Sequence, residues 1–381
     1  MPDTKTLDTR ESPLAPAFGG FDATSGVIDG RRVTVFAGCN YLGLSHHPPV
    51  VGAVRDALAG FGLSASASRC TSGNTRPHEQ LERDLARYVG REAGLLTPDG
   101  YIANLAAAQA LAEDHAVALL DERAHLSLRD AARCAGLEVR TYRHLDAVDA
   151  GVQAAQLAPR GVVVMTDGVF AADGSITPLD RLLAALPPRG ARLLVDDCHA
   201  FCVLGDHGRG SLSHFGIDDP RVVLTTTLAK GLGCAGGVIA GDASFVSRAR
   251  RASAFVCTTP TPPALVEGAR VALDVLGHDT LRFERLARSI RLVRGALDAC
   301  GLRPHDAPVP VFAIDLGSAA RRVAASLLDA GFFVPLVAYP GGPSREYLRL
   351  SVSSEHTPEQ IDRLAGALDA SLGGMANAQP A

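Results

Sequence analysis

Short apolar runs alternate with longer amphipathic stretches through the middle of this 381-residue chain, and this alternation constrains the fold more than any other feature. The runs are apolar at nearly every position, as at residues 162–165 (VVVM) and 193–195 (LLV). Strands without polar alternation are covered on both faces, as in parallel sheets. We predict strands at residues 116–121, 137–142, 161–167, 191–197, 222–227 and 237–241. The pattern therefore predicts an α/β fold with a mainly parallel sheet.

Helical patterns separate these strands and also dominate the C-terminal part of the chain. Apolar residues at helical spacing predict helices at residues 78–89, 100–111 and 127–135. From about residue 279 we predict a long helix, strands at 309–316 and 347–352, and a last helix. Thr357, Pro358 and Gln360 give that last helix a capping box. We expect an N-terminal arm (1–45), a large α/β domain (46–278) and a small α+β domain (279–381).

The charge and the cysteines argue against several classes of function. A net charge of −4 leaves no basic excess for a phosphate backbone, so we expect no nucleic-acid partner. The eight cysteines form no CxxC pair and show no Cys/His ligand spacing, so we expect reduced thiols, no metal and a cytoplasmic protein. No apolar run approaches the ~20 residues that span a bilayer, and no leader opens the chain, so membrane insertion and secretion are not expected.

Lysine is almost absent from the chain. Of 37 Lys plus Arg residues, only Lys5 and Lys230 are lysines. Lys5 lies in a polar N-terminal stretch that ends at Ser12, so we expect a single amine side chain in the folded part. Lys230 follows the strand predicted at 222–227 and precedes a glycine-rich segment that lets a bulky group approach.

The carboxyl ends of the predicted parallel strands bring further polar side chains towards Lys230. Asp167, Asp196 and His199 follow neighbouring strands, and ligands bind at this edge of an open parallel sheet. Pyridoxal phosphate needs a lysine for its Schiff base and an acidic partner for its ring nitrogen. Taken singly, Lys230 could equally be a solvated lysine on a turn, and Asp196 a turn residue or helix cap.

The order and spacing of short motifs resembles the α-oxoamine synthases, a family of fold-type I pyridoxal-phosphate enzymes. The central motif is residues 225–233 (TTTLAKGLG), preceded by 196–199 (DDCH) and 203–205 (VLG). Collinear matches elsewhere are 40–44 (NYLGL), 68–69 (SR), 72–74 (SGN), His78, 100–104 (GYIAN), His125, 173–174 (DG), 262–263 (PP) and 348–350 (LRL). The resemblance implies a seven-stranded, mainly parallel sheet in the large domain, and a homodimer with its active site at the subunit interface.

The resemblance also implies roles around the cofactor ring. Lys230 would hold pyridoxal phosphate as a Schiff base and then remove the α-proton of the substrate, with a pKa lowered by desolvation. Asp196 would pair with the ring nitrogen and His199 would reach the phenolic oxygen. His125 would stack on the ring face.

The remaining site residues follow from the same resemblance. The phosphate would be held by Thr227 and by the backbone N–H groups of Gly100 and Tyr101 at a helix start. Thr259 would contact the phosphate of the neighbouring subunit, although it could equally belong to a helix N-cap region. Substrate contacts are implied for two residues, namely Arg349 with the amino-acid carboxylate and Asn40 near the substrate.

Four positions depart from the family pattern. Ser66 and Ala67 stand where paired glycines are usual, Ala171 replaces a serine, and Cys202 replaces a glycine. We expect added bulk near the substrate, and therefore a substrate different from that of the best-known members.

The sequence thus predicts a condensation of a small amino acid with an acyl thioester, usually decarboxylative, that gives an α-aminoketone. The thioester could be an acyl-CoA or an acyl-carrier protein. The alternative is an aminotransferase or C–C lyase that shares Lys230 and Asp196. A degenerate, non-enzymatic partner subunit is a third possibility, against which the intact Lys230, Asp196, His199 and His125 argue.

Overall fold

The computed structural model describes residues 15–376; Lys5 and the N-terminal stretch ending at Ser12 lie outside them. Its strands, in chain order, are β1 Phe18–Phe21, β2 Ser25–Ile28, β3 Arg31–Val35, β4 Ala93–Thr97, β5 Val117–Asp121, β6 Glu138–Tyr142, β7 Val162–Asp167, β8 Ala191–Asp196, β9 Val222–Thr227, β10 Gly237–Gly241, β11 Val311–Ile314, β12 Phe332–Phe333, β13 Leu336–Val337 and β14 Tyr347–Ser351. Its α-helices are α1 Pro48–Phe61, α2 Arg76–Tyr88, α3 Gly100–Leu111, α4 Leu126–Cys134, α5 Ala147–Leu157, α6 Leu179–Ala185, α7 Ser211–His214, α8 Ala243–Ala249, α9 Ser253–Val256, α10 Pro263–His278, α11 Leu281–Ala299, α12 Ala320–Asp329 and α13 Pro358–Ala376.

A seven-stranded sheet forms the centre of the larger of two compact units, which contains residues 39–171 and 175–284. The strand order is β4-β10-β9-β8-β7-β5-β6, and the pairings from β9 to β6 are parallel. β10 pairs antiparallel with both of its neighbours. Every residue of β5, β7, β9 and β10 is buried, and so is every residue of β8 except the half-buried Arg192. The prediction of an α/β fold with a mainly parallel, doubly covered sheet is confirmed.

The six predicted strands of this sheet are all present, with ends that differ from the prediction by no more than one residue. The edge strand β4 was not predicted, because its sequence AGLLT is short and lacks β-branched residues before its last position. It joins the sheet by antiparallel pairing with β10, a non-local contact that no local pattern reveals.

Residues 172–174, the described residues up to 38 and those from 285 onward form the other unit. It contains a four-stranded sheet in the order β1-β2-β3-β12 and a three-stranded sheet in the order β11-β14-β13. β1 to β3 were not predicted, since they are only four or five residues long and their sequences FGGF, SGVI and RRVTV carry little apolar alternation. The domain boundaries expected at residues 45 and 278 stay predictions.

The start of α13 bears out its capping signal. The Thr357 N–H donates to Gln360 Oε1 at 3.0 Å, and the Gln360 N–H donates to Thr357 Oγ1 at 3.2 Å. Two orphan donors of the first turn are thus satisfied reciprocally. In the described part of the chain, no helix combines the length and hydrophobicity needed to cross a bilayer.

His356 makes the stability of the smaller unit sensitive to acid. Its ring stacks on Phe36 with centroids 4.4 Å apart, its Nδ1 accepts from the Ser353 N–H, and its Nε2–H donates to the Val35 carbonyl. Burial lowers the pKa of His356 to about 4, although the hydrogen bonds to Val35 and Ser353 act in the opposite direction. The ring is therefore neutral in the folded protein at pH values where the unfolded chain is protonated.

We predict that the free energy of unfolding falls as the pH drops from about 6.5 towards 4, because the unfolded state then binds a proton that the folded state rejects. His356 alone accounts for roughly 2 kcal/mol of this loss between pH 7 and pH 5. Urea unfolding of wild type and His356→Gln at both pH values measures it. The variant is less stable at pH 7 but loses less on acidification, and an equal loss in both proteins would contradict the assignment.

Candidate active site

Seven predicted site residues meet in one cavity of about 180 Å³ at the carboxyl edge of the large sheet. The lining residues are Gly100, Tyr101, His125, Ser127, Asp167, Asp196, Cys198, His199, Thr227, Ala229 and Lys230. The strand ends supply the two carboxylates, the starts of α3 and α4 supply backbone N–H groups, and the loop after β9 supplies the lysine. Chain segments far apart in sequence thus converge as an open parallel sheet requires.

Asp196 and Asp167 lie side by side, because they pair in register at the ends of β8 and β7. Both are 4% exposed. Asn104 Nδ2 donates to Asp196 Oδ2 at 2.7 Å, and the Cys198 N–H donates to Asp196 Oδ1 at 3.0 Å. Asp167 accepts one backbone N–H, from His125, at 2.8 Å. Burial, and next the charge of Asp196, raise the pKa of Asp167 well above its usual range. Of the two paired carboxyl groups, Asp167 is the one whose pKa is raised.

Lys230 differs from the expectation that desolvation lowers its pKa. Burial does act in that direction, but anionic neighbours outweigh it, and the pKa of Lys230 is raised. Cys198 and Cys39 contribute only as thiolates, and burial raises the pKa of the Cys198 thiol well above its ordinary value. Asp196 and Asp167 act in the same direction as these cysteines. Compensation of the negative charge around Lys230 would lower its pKa.

The two histidines of the site are held by hydroxyl groups. Ser127 Oγ lies 2.6 Å from His125 Nδ1, and the Ser127 N–H also donates to this nitrogen at the start of α4. Tyr41 OH lies 2.8 Å from His199 Nδ1. Tyr41 is 1% exposed, so its hydroxyl gains a partner that burial requires. Burial lowers the pKa of His125.

The start of α3 leaves room for an anion. A Cβ on Gly100 would lie 3.1 Å from both Cys198 Sγ and Thr227 Cβ, which is a tight contact, so glycine suits this close approach. Asp99 caps the helix by accepting from the Ile102 N–H at 2.8 Å, which leaves the N–H groups of Gly100 and Tyr101 in the first turn. Thr227 lies beside Gly100 at this helix start, and its Oγ1 accepts from the Ala229 N–H at 3.2 Å.

Three predicted site residues do not line this cavity. Asn40 Oδ1 would lie 2.9 Å from a Cβ on Gly233, three residues beyond Lys230, and accepts from the Ser45 N–H. Thr259 is exposed on the segment after α9. Arg349 lies on β14 in the other compact unit, in register with Ala313 of β11. Their roles remain predictions.

Residues 68–78 also contain motifs of the resemblance, and they support the segment that carries Thr259. Arg69 is buried and donates to Glu82 Oε1 at 3.0 Å and to Asn74 Oδ1 at 2.7 Å. His78 Nε2–H donates to the Thr261 carbonyl at 2.9 Å. The buried ion pair therefore holds Arg69 against Glu82, and the buried histidine ties this stretch to the chain at Thr261.

Cys202 does not add bulk on the substrate side, contrary to expectation. It is fully buried and adopts a left-handed backbone conformation with φ of 61°. A Cβ on Gly231, the residue after Lys230, would lie 2.6 Å from Cys202 Cβ and 2.6 Å from the Phe201 carbonyl oxygen. The thiol side chain thus fills the space that a side chain at residue 231 would need.

The other departures also stay outside the cavity lining. Ser66 is exposed and adopts a φ of 52°, the conformation for which glycine is favoured. Ala67 is half-buried and Ala171 is buried. None of the three explains a change of substrate.

Sequence reasoning gave no role to several residues that the structure brings into the site. Ser127, Asp167 and Cys198 line the cavity, while Asn104 and Tyr41 bond to residues that line it. Asn104 and Tyr41 both lie inside the motifs of the resemblance, and that position was the signal available. No group of three His, Cys, Asp or Glu side chains within residues 15–376 is arranged to hold a metal ion.

We predict that Gly231→Ala lowers stability by about 1–3 kcal/mol, because its methyl group overlaps Cys202 and the Phe201 carbonyl. Cys202→Gly removes one of the two overlaps, so the double variant regains part of the loss. Chemical unfolding of the four proteins in a double-mutant cycle measures the coupling. Strictly additive effects would show that residues 202 and 231 do not share this space.

The chain is similar to known proteins over nearly its whole length. The family model described as aminotransferase class I and II matches residues 31–368. The 8-amino-7-oxononanoate synthase of Thioalkalivibrio sulfidiphilus is 39% identical over 354 residues, covering 91% of this chain and 90% of the relative. The corresponding synthase of Methylococcus capsulatus is 38% identical over 349 residues, covering 90% of each.

Among solved structures, serine palmitoyltransferase from S. paucimobilis, with pyridoxal phosphate joined to myriocin, is similar with a TM-score of 0.89 and 26% identity. The likeness covers 95% of this chain and 93% of that one. The chain therefore belongs to the class I and II aminotransferase family and, within it, to the α-oxoamine synthases, which use pyridoxal phosphate to join an amino acid to an acyl thioester.

Proposed function

We propose that Lys230, Asp196, His199 and His125 carry out the condensation of a small amino acid with an acyl thioester in the cavity at the sheet edge. The observation that carries this proposal is the convergence of one amine, two carboxyl groups and one helix start on that cavity. When bound, pyridoxal phosphate supplies an electron sink for the negative charge left on the α-carbon of the amino acid joined to it.

The geometry fits that cofactor at both of its ends. The helix start at Gly100, where a Cβ would meet Cys198 and Thr227, offers unpaired N–H groups to a phosphate. Asp196 keeps its charge for the ring nitrogen, since two donors hold its oxygens. His199, steadied by Tyr41, is available to the phenolic oxygen.

Lys230 Nζ then acts as the base that takes the α-proton. The carboxylate of Asp196 raises the pKa of Lys230 in the free site, which opposes this role. A cofactor ring nitrogen that carried a proton beside Asp196 would compensate the carboxylate charge, and burial would then act to lower the pKa of the amine. Cofactor binding would in this way prepare Lys230 to accept a proton.

The rest of the assembly follows the same proposal. Arg349 binds the amino-acid carboxylate through its fork of N–H donors, and Asn40 lies near the substrate. Thr259, exposed on its own subunit, reaches the phosphate of a second copy, so the protein is a homodimer. Its proposed location is the cytoplasm. The exposure of Thr259 and its absence from the cavity lining support this arrangement.

The relatives indicate which substrates to try first. In 8-amino-7-oxononanoate the amino carbon carries a methyl group and adjoins the oxo carbon, a skeleton obtained from alanine and a seven-carbon dicarboxylic acyl thioester with loss of carbon dioxide. Serine palmitoyltransferase is named for serine and a palmitoyl group. We propose alanine as the preferred amino acid here, with serine and glycine as the comparison.

We predict that Lys230→Ala abolishes the visible absorbance of protein-bound pyridoxal phosphate as well as product formation, because no other lysine lies within the described residues. Lys230→Arg gives the same loss, since a guanidinium does not deprotonate to form an imine. Absorbance spectra of the three proteins after gel filtration test this. A visible band that persists in Lys230→Ala would contradict the cofactor assignment.

We predict that free thiol is released only when an amino acid and an acyl thioester are both present. The assay pairs alanine, serine and glycine in turn with pimeloyl-CoA, palmitoyl-CoA and the same acyl groups on a carrier protein, and counts thiols against a control without amino acid. Thiol release together with an aminoketone of the expected mass supports the proposal. Conversion of the amino acid to its keto acid without thiol release would favour an aminotransferase.

A further inference from the structure

A chain of buried hydrogen bonds joins Asp196 to the ring of His125. Thr225 Oγ1 lies 2.5 Å from Asn104 Oδ1, and Asn104 Nδ2 lies 2.7 Å from Asp196 Oδ2 and 2.9 Å from Ser127 Oγ. Ser127 Oγ in turn lies 2.6 Å from His125 Nδ1. Thr225, Asn104 and Ser127 are no more than 2% exposed, so water does not compete for these groups.

The carboxylate of Asp196 determines which group donates and which accepts in each of these hydrogen bonds. An ionised carboxylate only accepts, so the Asn104 amide must turn its NH₂ towards Asp196 and its oxygen towards Thr225, which donates. The second amide hydrogen points to Ser127 Oγ, which therefore accepts from Asn104 and uses its own hydrogen for His125 Nδ1. The Ser127 backbone N–H donates to the same nitrogen at 3.2 Å. Two donors thus converge on Nδ1.

We propose that Ser127, Asn104 and Thr225 are positioning residues that fix the protonation state of His125, holding it as a neutral imidazole with a bare Nδ1 and its one proton on Nε2. This inference rests on the proposed function only in placing His125 beside the cofactor ring. A neutral ring can stack on a cofactor whose own nitrogen carries a positive charge, whereas an imidazolium would repel it. The same amide that orients Asp196 therefore sets the histidine on the ring face.

The electrostatic surroundings of His125 agree with this. Burial lowers the pKa of the imidazole, the charges of Asp196 and Asp130 raise it, and the charge of Lys230 lowers it. Asp167 accepts from the backbone N–H of His125. The hydrogen-bond chain adds a contribution that favours the neutral ring, because donors on Nδ1 stabilise the lone pair.

Nitrogen-15 NMR of the histidine-labelled holoenzyme tests the inference. The His125 signals are assigned by their loss in His125→Asn. We expect one protonated and one unprotonated nitrogen, with the proton on Nε2 from pH 6 to pH 8. In Ser127→Ala the pKa of His125 rises by roughly one unit, because one donor to Nδ1 is lost. A wild-type ring protonated on Nδ1, or doubly protonated at pH 7, would overturn the inference.

Two adjacent threonines provide a matched pair of variants. Thr225 and Thr226 are both fully buried on β9, but Thr226 Oγ1 has no hydrogen-bond partner. Thr225→Val removes the hydrogen bond that orients the Asn104 amide. It should therefore mix the two His125 tautomers or raise the pKa of His125, as Ser127→Ala does. Thr226→Val should leave the His125 signals as in wild type and should not lower stability.

Each outcome either supports or overturns the proposed control of the His125 protonation state. Equal effects of Thr225→Val and Thr226→Val on the His125 signals would show that general packing, not the hydrogen-bond chain, is responsible. If Thr225→Val does not fold, Ser127→Ala still decides by the direction of its pKa shift. The measurement needs no turnover, so a protein that binds pyridoxal phosphate but condenses no thioester would refute the proposed function while leaving this inference intact.

Discussion

The active site depends on the pairing of two buried carboxylates beside a single amine. The register of β7 and β8 places Asp167 directly against Asp196. Burial and the neighbouring Asp196 raise the pKa of Asp167. Asp196 accepts from Asn104 and from the Cys198 N–H, while Asp167 has one backbone donor. The sheet register and this choice of partners together place a carboxylate with two donors where a cofactor ring nitrogen can use it.

The properties of Lys230 follow from these buried surroundings. Desolvation lowers the pKa of its amine, neighbours that include Asp196 raise it, and on balance the pKa is raised. A cofactor ring nitrogen that paired with Asp196 would shift this balance towards a lower pKa. The same amide that holds Asp196 also reaches His125 through Ser127, so the carboxylate, the base and the stacking ring form one electrostatic unit.

The sequence predicted the sheet, the edge at which ligands bind, and the residues that carry charge there, because apolar runs and a lone lysine are local features. It did not predict the supporting layer. The role of Asn104 depends on contacts with Thr225 and Ser127, which lie more than twenty residues away, and the fit of Cys202 against Gly231 depends on a backbone conformation. Strands β1 to β3 were missed because their sequences are short and carry little apolar alternation, and β4 was missed because its pairing with β10 is non-local.

The proposed mechanism requires the cofactor to be attached to Lys230, the lysine near Asp196. Borohydride reduction of the protein with bound pyridoxal phosphate, followed by peptide mass spectrometry, identifies the attached lysine. We expect a phosphopyridoxyl group on the peptide containing Lys230, and none on the peptide containing Lys5. A label on Lys5, or a reduced protein that carries no label on either lysine, would contradict it.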